Sequence, residues 1–409
     1  MWLLVLSSSR ASFLSEFRES LVVLIILSLL IFIKRGIKLD KYFYIGTVYF
    51  IILTSIYLLA FPGKEHSFLT YLSHYAKLFY AYLTIKILKR DVFDLYHNVI
   101  VKLALISLPL FFFQLILPDI LFTINNTLTE NLPFLKVRNN FSNTLLFSFT
   151  LEYHPLRNCG FMWEPGGFAG MLTIAILINL VRNRIQLNKQ LFILIVALIT
   201  TFSTTGYLVL GIIVVFILIN KKVEYSFILI PIFLSLGIYI STLDFMAAKI
   251  VNILQDTGIE LQVVSYDYYK GSIALNRFTS LLLDLHDMQK SPIIGIGFYI
   301  KGQTQNYVMS YNRSNGLSYW ALQFGILGII VLAVNFYLSF KLYLRKYNYK
   351  GAFIFPLLIM TTAFSNPYLY TYALLSFQLF YFCKNDQGLE NSSELYLSED
   401  PDILKYSDH

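Results

Sequence analysis

The 409-residue chain is 56% hydrophobic and only 14% charged, with 36 Phe, 30 Tyr and 3 Trp and a mean hydropathy of +0.62. That is too much apolar surface for one water-soluble core, so fibrous, disulfide-rich and disordered classes are excluded and a polytopic membrane protein is expected. The formal net charge of +8 does not mark a nucleic-acid binder, because most bases sit in short links between apolar runs, where positive charge reports topology.

A bilayer core of about 30 Å asks for about 17 to 25 mostly apolar residues per helix, and lipid tolerates no unpaired backbone, so runs of that size read as helices. The opening run, Trp2 to Leu6, is too short for a signal-peptide core. Eleven helices follow, near 19–33, 42–61, 68–87, 99–117, 166–181, 190–204, 206–220, 225–243, 316–340, 351–366 and 369–383. A twelfth, short or interfacial segment fits near the start. The expectation is an all-α, polytopic membrane bundle with two large extracytoplasmic loops. It divides into helices one to four (1–117), a first large loop (118–165), helices five to eight (166–243), a second large loop (244–315), helices nine to eleven (316–384) and an acidic tail (385–409).

The short links carry the orientation. Lys34, Arg35, Lys38 and Lys41; Lys89 and Arg90; Arg182, Arg184 and Lys189; Lys221 and Lys222; and Lys341, Arg345, Lys346 and Lys350 alternate along the chain and read as cytoplasmic. The N-terminal 18 residues are then outside and the tail inside, where its low apolar content predicts a disordered end. Cys159 and Cys383 fall on opposite sides and form no disulfide. Helices six and seven are separated only by Thr204 and Thr205 and predict a tight hairpin; one long kinked helix is the alternative, and it would place Lys221 and Lys222 outside.

Loops of this length are uncommon unless functional. In the second, Ser272 to Gln289 carries apolar residues at Ala274, Phe278, Leu281, Leu282, Leu285 and Met288, a pattern for an amphipathic helix closed by Pro292 that lies on the membrane or caps a cavity. Gly295-Ile296-Gly297 reads as a tight turn.

The most distinctive segment is Arg157-Asn158-Cys159-Gly160-Phe161-Met162-Trp163-Glu164-Pro165-Gly166-Gly167-Phe168-Ala169, where the first loop meets helix five. Glu164-Pro165 is a helix start, and the plain reading of Glu164 is a cap. Its place at the membrane boundary, the arginine seven residues upstream and the flanking glycines also outline an anion site: a guanidinium binds phosphate oxygens bidentately, and a carboxylate there can take a proton from a hydroxyl.

Arg157-x-x-Gly160-x-x-x-Glu164-Pro165-x-x-Phe168-Ala169 resembles the corresponding segment of Wzy-type O-antigen and capsular polysaccharide polymerases. Thr200-Thr201-Phe202-Ser203-Thr204-Thr205-Gly206-Tyr207 is similar to that family's Thr-x-Ser helix pair. Arg277, Ser291-Pro292-Ile293-Ile294-Gly295-Ile296-Gly297, Ser314-Asn315-Gly316-Leu317 and Phe324-Gly325-Ile326-Leu327-Gly328 look like its second loop and following helix, in order. The resemblance spans about 157–330. It implies an inverting, metal-independent glycosyltransferase, without a cofactor, that joins repeat units carried on undecaprenyl diphosphate at the outer face of the bacterial inner membrane. A flippase and a chain-length regulator would be its partners.

On that reading Arg157 and Arg277 bind diphosphate, with Arg138 and Arg313 behind them, and Glu164 is the candidate base. Asn315, His154 and Lys77 are further substrate-binding candidates, Lys77 because a lysine inside an apolar helix must face protein or water. Each has a plainer reading: Arg277 lines the polar side of its helix, Arg138, Arg313 and His154 are solvated loop groups, and Lys77 forms a structural ion pair. The six histidines show no metal-binding spacing. O-antigen ligases share the architecture and commonly carry a His-Asn pair before the helix after the second loop. Arg313-Ser314-Asn315-Gly316 has no histidine there and favours a polymerase. A lipid-linked oligosaccharide transporter is the competing class, and the chain lacks the internal repeats common in transporters.

Overall fold

The computed structural model describes residues 1–10, 12–16, 18–60, 68–132, 142–149, 154–220, 263–267, 272–275, 277–298, 310–312 and 314–382. Most of them are helical. Four helical stretches are long and apolar enough to cross a membrane: Lys41–Ala60, Phe68–Ile116, Pro165–Arg182 and Gly316–Arg345. The second, at 49 residues, is far longer than one crossing needs. It breaks where Lys89 adopts a left-handed φ of 53°.

In chain order the helices are α1 (Trp2–Leu6), α2 (Phe13–Glu16), α3 (Arg18–Lys34), α4 (Lys41–Ala60), α5 (Phe68–Leu88), α6 (Val92–Ile116), α7 (Pro118–Asn131), α8 (Pro165–Arg182), α9 (Lys189–Thr200), α10 (Thr204–Asn220), α11 (Arg277–Met288), α12 (Gly316–Arg345), α13 (Ile354–Ser365) and α14 (Tyr372–Leu379). The helix expected at 225–243 and the acidic tail lie outside the described residues. The loops add two small sheets, an antiparallel pair at 142–143 and 148–149 and a three-stranded patch of 263–267, 272–275 and 310–312. The expected amphipathic stretch therefore begins five residues late: 272–275 is a strand, and only Arg277–Met288 is helical.

Helix α8 forms the axis. Every residue from Gly167 to Val181 is buried, and α6, α9, α10 and α13 pack around it. Helices α3 and α4 turn long apolar side chains such as Val22, Ile26, Ile45 and Ile52 outward, as lipid-facing helices do.

The links sort the bundle into two ends. At one, Arg35 Nη1 donates to Ile87 O at 3.0 Å, and Lys86 pairs with Asp40 at 3.1 Å. Asp94 holds Arg182 at 3.3 Å and Lys346 at 3.2 Å, and the Asn220 amide binds the backbone of Lys350. At the other end Gln114 Nε2 donates to Pro155 O at 2.8 Å, and Thr200 meets Asn158. The basic links within the described residues thus gather at one end. Asn188, before α9, bonds Asn179 near the end of α8, and Asn220 ends α10 beside Lys350. Both ends of the α9–α10 pair therefore lie at the basic end, and the pair is the hairpin, turned at Phe202 with φ 45°.

The N-terminal arm packs into the bundle: Leu4, Val5 and Leu6 are buried with α6 and α14, and Ser8 Oγ accepts from Ala373 N–H at 3.0 Å. The segment 292–297 is more than a tight turn. Helix α12 breaks at Gly325, where φ is 66°, so Ile326 and Leu327 lose their acceptors one turn back, Leu322 and Gln323. The segment replaces both: Ile326 N–H donates to Pro292 O at 2.9 Å and Leu327 N–H to Ile293 O at 3.1 Å, while Ile296 N–H donates to Leu322 O at 2.9 Å and Gly297 N–H to Gln323 O at 3.0 Å. An unpaired backbone group in an apolar interior costs several kcal/mol, so the break and the segment require each other.

Helix α11 lies beside the first turns of α12. Ser314 N–H donates to Ser280 Oγ at 3.1 Å and Ser318 Oγ to Asp284 Oδ2 at 2.5 Å. Its polar residues Ser280, Asp284 and Asp287 face inward, and Phe278, Leu282 and Leu285 face outward. That orientation suits a lipid boundary and not a lid over a cavity.

Candidate functional site

The segment from Arg157 to Glu164 is folded by its own polar side chains. Asn158 is fully buried: its Oδ1 accepts from Gly160 N–H at 2.8 Å, and its amide donates to Ser107 Oγ at 3.2 Å and Thr200 Oγ1 at 3.0 Å. The segment is thereby pinned to α6 and to the α9–α10 turn. Gly160, at φ +52°, has Phe168 ring atoms 2.6 Å from where a Cβ would sit, so only glycine fits this turn.

Glu164 precedes Pro165 at the start of α8, but its carboxylate makes no capping hydrogen bond to that helix. Asn366, after α13, takes the capping role: with its amide oriented to satisfy both neighbours, it accepts from Gly167 N–H at 3.0 Å and donates to Glu164 Oε2 at 2.5 Å. The charges of Arg277, Arg10 and Arg157 act on that carboxylate.

Arg157 is half-buried. Its Nε donates to Thr201 O at 3.0 Å and its Nη2 to Phe202 O at 2.9 Å, so it caps the carbonyl end of α9. Arg277, the first residue of α11, is half-buried as well, and its guanidinium makes no hydrogen bond or ion pair among the described residues. Arg10, from the N-terminal arm, acts electrostatically on the same carboxylate. It stacks over Trp163 at 5.4 Å and donates to Pro367 O at 3.2 Å.

Burial pushes the Glu164 carboxyl above its ordinary range, and Arg277, Arg10, Arg157 and the Trp163 indole N–H oppose the rise. Burial also pulls the Arg157 guanidinium down, reinforced by the like charge of Arg277 and opposed by Glu164. Arg277 is lowered by burial against the attraction of Glu164. Three cations thus share one carboxylate in a partly desolvated place, where excess positive charge attracts a polyanion strongly.

Glu164, Arg157 and Arg277 thus lie within electrostatic reach of one another. Lys77, on α5, feels the like charge of Arg10 and makes no hydrogen bond or ion pair with Glu164, Arg157 or Arg277 among the described residues. His154 sits at the base of the turn, where its carbonyl accepts from Arg157 N–H at 3.1 Å. Asn315 is fully buried and acts as the N-cap of α12: its Oδ1 accepts from Leu317 and Ser318 N–H, and its amide donates to Arg277 O at 3.4 Å. It positions Arg277. Arg138 and Arg313 lie outside the described residues. Sequence reasoning missed Arg10 and Asn366. The available signal for Arg10 was that it is the only charge in the first 15 residues, directly after an apolar run.

No protein-family model matches the chain, and no curated protein or solved structure matches it.

Proposed function

We propose that this chain is a polysaccharide polymerase that joins undecaprenyl-diphosphate-linked oligosaccharide units at the outer face of a bacterial inner membrane. The observation that carries the reading is the Arg277 guanidinium, half-buried and without a hydrogen bond or ion pair among the described residues, in the electrostatic reach of a carboxylate on which Arg157 and Arg10 also act. A half-buried guanidinium that makes no hydrogen bond is costly, and the oxygens of a phosphate ligand would supply those bonds. The group lies at the end of the bundle opposite the basic links, which under the charge rule is the outer end of a topology with eleven spans.

In the reaction the hydroxyl oxygen of the incoming unit forms a bond to the anomeric carbon of the growing chain from the face opposite the diphosphate. The bond from that carbon to the diphosphate oxygen breaks, the electron pair leaves with the diphosphate, and the configuration inverts. Arg157 and Arg277 stabilise the charge gathering on the leaving oxygen. Glu164 takes the hydroxyl proton, a role suited to a carboxyl held above its ordinary range. A flippase would supply the lipid-linked unit, and a chain-length regulator would set where the polymer stops.

The test is reconstitution of the purified protein in lipid with an undecaprenyl-diphosphate oligosaccharide, products being resolved by size. A ladder at repeat-unit spacing without added nucleotide or metal supports the polymerase. Transfer only to lipid A core makes the protein a ligase, and movement of substrate across the bilayer with neither product makes it a transporter.

A further inference from the structure

Glu164 occupies the N-cap position of α8, yet the N–H that a cap residue ordinarily binds, that of Gly167 in the first turn, is taken by Asn366. Asn366 is 1% exposed, so each end of its amide needs a protein partner. Gly167 N–H can only donate, and the end that meets it at 3.0 Å is therefore Oδ1. The other end is the NH2 group, which donates to Glu164 Oε2 at 2.5 Å. Turning the amide over would set oxygen against a carboxylate oxygen and N–H against N–H, and both bonds would be lost in a buried place. A backbone group that does not titrate thus fixes which way this donor points.

The turn that carries Asn366 is itself held in place. The Asn366 carbonyl accepts from Tyr368 N–H at 2.8 Å, and the Pro367 carbonyl accepts from Arg10 Nη2 at 3.2 Å. A Cβ at Gly316, the first residue of α12, would overlap Asn366 O and Pro367 Cα, and one at Gly166, in the first turn of α8, would overlap the Asn366 side-chain amide. Two glycines let the starts of α8 and α12 close on the turn. Arg10 also stacks over Trp163, which directly precedes Glu164. One guanidinium therefore braces both sides of the bond between Asn366 and Glu164.

A donor locked on Oε2 makes the two carboxylate oxygens unequal. Oε2 stays deprotonated, because a protonated oxygen is a poor acceptor, and a proton that Glu164 takes up goes to Oε1. The bond favours the ionised carboxylate, as Arg277, Arg10, Arg157 and the Trp163 indole N–H do, against the burial that opposes it. We propose that Asn366 is the positioning residue of Glu164: it holds Oε2 and thereby presents Oε1 to the incoming hydroxyl. The hydroxyl proton moves to Oε1 as the hydroxyl oxygen bonds the anomeric carbon, and the diphosphate leaves with the electron pair of the broken bond. The identity of that hydroxyl rests on the polymerase reading; the bond between Asn366 and Glu164 does not.

The test joins pH-dependent unfolding of the full-length protein in detergent to polymerisation kinetics in proteoliposomes. Asn366→Ala removes the donor and adds no titrating group. It moves the slope that depends on Glu164 to higher pH, because the ionised form loses a hydrogen bond. It also lowers kcat by about tenfold or more with KM unchanged, as expected when a base that contributes about 10²- to 10⁴-fold is misplaced without loss of substrate binding. A residue that only capped α8 would lower stability and leave the slope where it is. Because Asn366→Ala also removes that cap, the second variant exchanges the pair, Glu164→Gln with Asn366→Asp. The new carboxylate accepts from Gly167 N–H and from the new amide, so the exchanged pair unfolds at a higher denaturant concentration than Asn366→Asp alone and makes no polymer. An unmoved slope in Asn366→Ala, an exchanged pair no more stable than Asn366→Asp, or polymer from the exchanged pair overturns the proposal. If the slope moves and the exchange restores stability while wild type makes no polymer, the positioning bond stands and the polymerase reading falls.

Discussion

Arg157 and Arg277 both act electrostatically on the Glu164 carboxylate, yet they should fail differently when truncated. Arg157 donates two charge-assisted hydrogen bonds to the carbonyls of Thr201 and Phe202. Bonds to charged groups contribute about 1.5 to 3 kcal/mol each, so Arg157→Ala removes about 3 to 6 kcal/mol, toward the lower value because the side chain is only half-buried. Arg157→Lys keeps the charge but cannot reach both carbonyls in one planar fork, and should lose most of the same stability. Arg277 has no hydrogen bond to lose, and its removal relieves repulsion of Arg157. Its truncation should shift stability by no more than about 0.5 kcal/mol, as at sites without a structural role. The assay is denaturant unfolding of the three variants in one detergent, followed by diphosphate binding at a temperature where all are folded. Equal destabilisation by Arg157→Ala and Arg277→Ala would refute the division into a structural and a free guanidinium.

Gly325→Ala should open the interlock of α12 with 292–297, because the new Cβ meets Ile293 O at 2.2 Å in a left-handed backbone. The strain is about 1 to 3 kcal/mol, read as a lowered unfolding midpoint and as new protease cleavage between 288 and 300. For Glu164 the folded state binds its proton more tightly than the unfolded state, so stability is highest below the ordinary carboxylate pKa. It falls as pH rises toward the elevated folded value and is flat above it. Glu164→Gln should abolish that slope in pH-dependent unfolding, and a slope left intact would assign it elsewhere. If the proposed reading holds and Glu164 is the base, polymerisation should run the opposite way: the rate rises through the same range in wild type, and Glu164→Gln gives no such rise. Asp94→Asn leaves Arg182 and Lys346 without their shared carboxylate and should cost about 1 to 3 kcal/mol in unfolding free energy.

Long-range order in this fold is legible where periodicity and charge carry it. The apolar runs at 42–61, 68–87 and 166–181 coincide with helices to within a few residues, because lipid-length runs leave the backbone no alternative. The hairpin at Phe202 follows from the basic links on either side of it. Glu164 and Arg157 stand out in the sequence by their spacing around Pro165, and Arg277 as a base on the polar side of the expected amphipathic stretch. What stayed hidden depends on partners distant in sequence. Arg10 lies 154 positions before Glu164, and Asn366 displaces Glu164 as the cap of α8 from more than 200 positions away. Gly325 reads as an ordinary small residue of an apolar helix until the carbonyls of Pro292 and Ile293 are placed beside it. The inward polar face of α11 is hidden for a related reason: helical periodicity shows two faces without telling which one meets protein.

The central proposal is that a lipid diphosphate is bound and cleaved at the group around Glu164 and Arg277, and it is tested most directly by polymer synthesis in proteoliposomes holding wild type or Arg277→Ala at equal folded amounts. The account predicts a ladder at repeat-unit spacing from wild type and none from Arg277→Ala, with both proteins unfolding at the same denaturant concentration. Polymer of wild-type length from Arg277→Ala would contradict it.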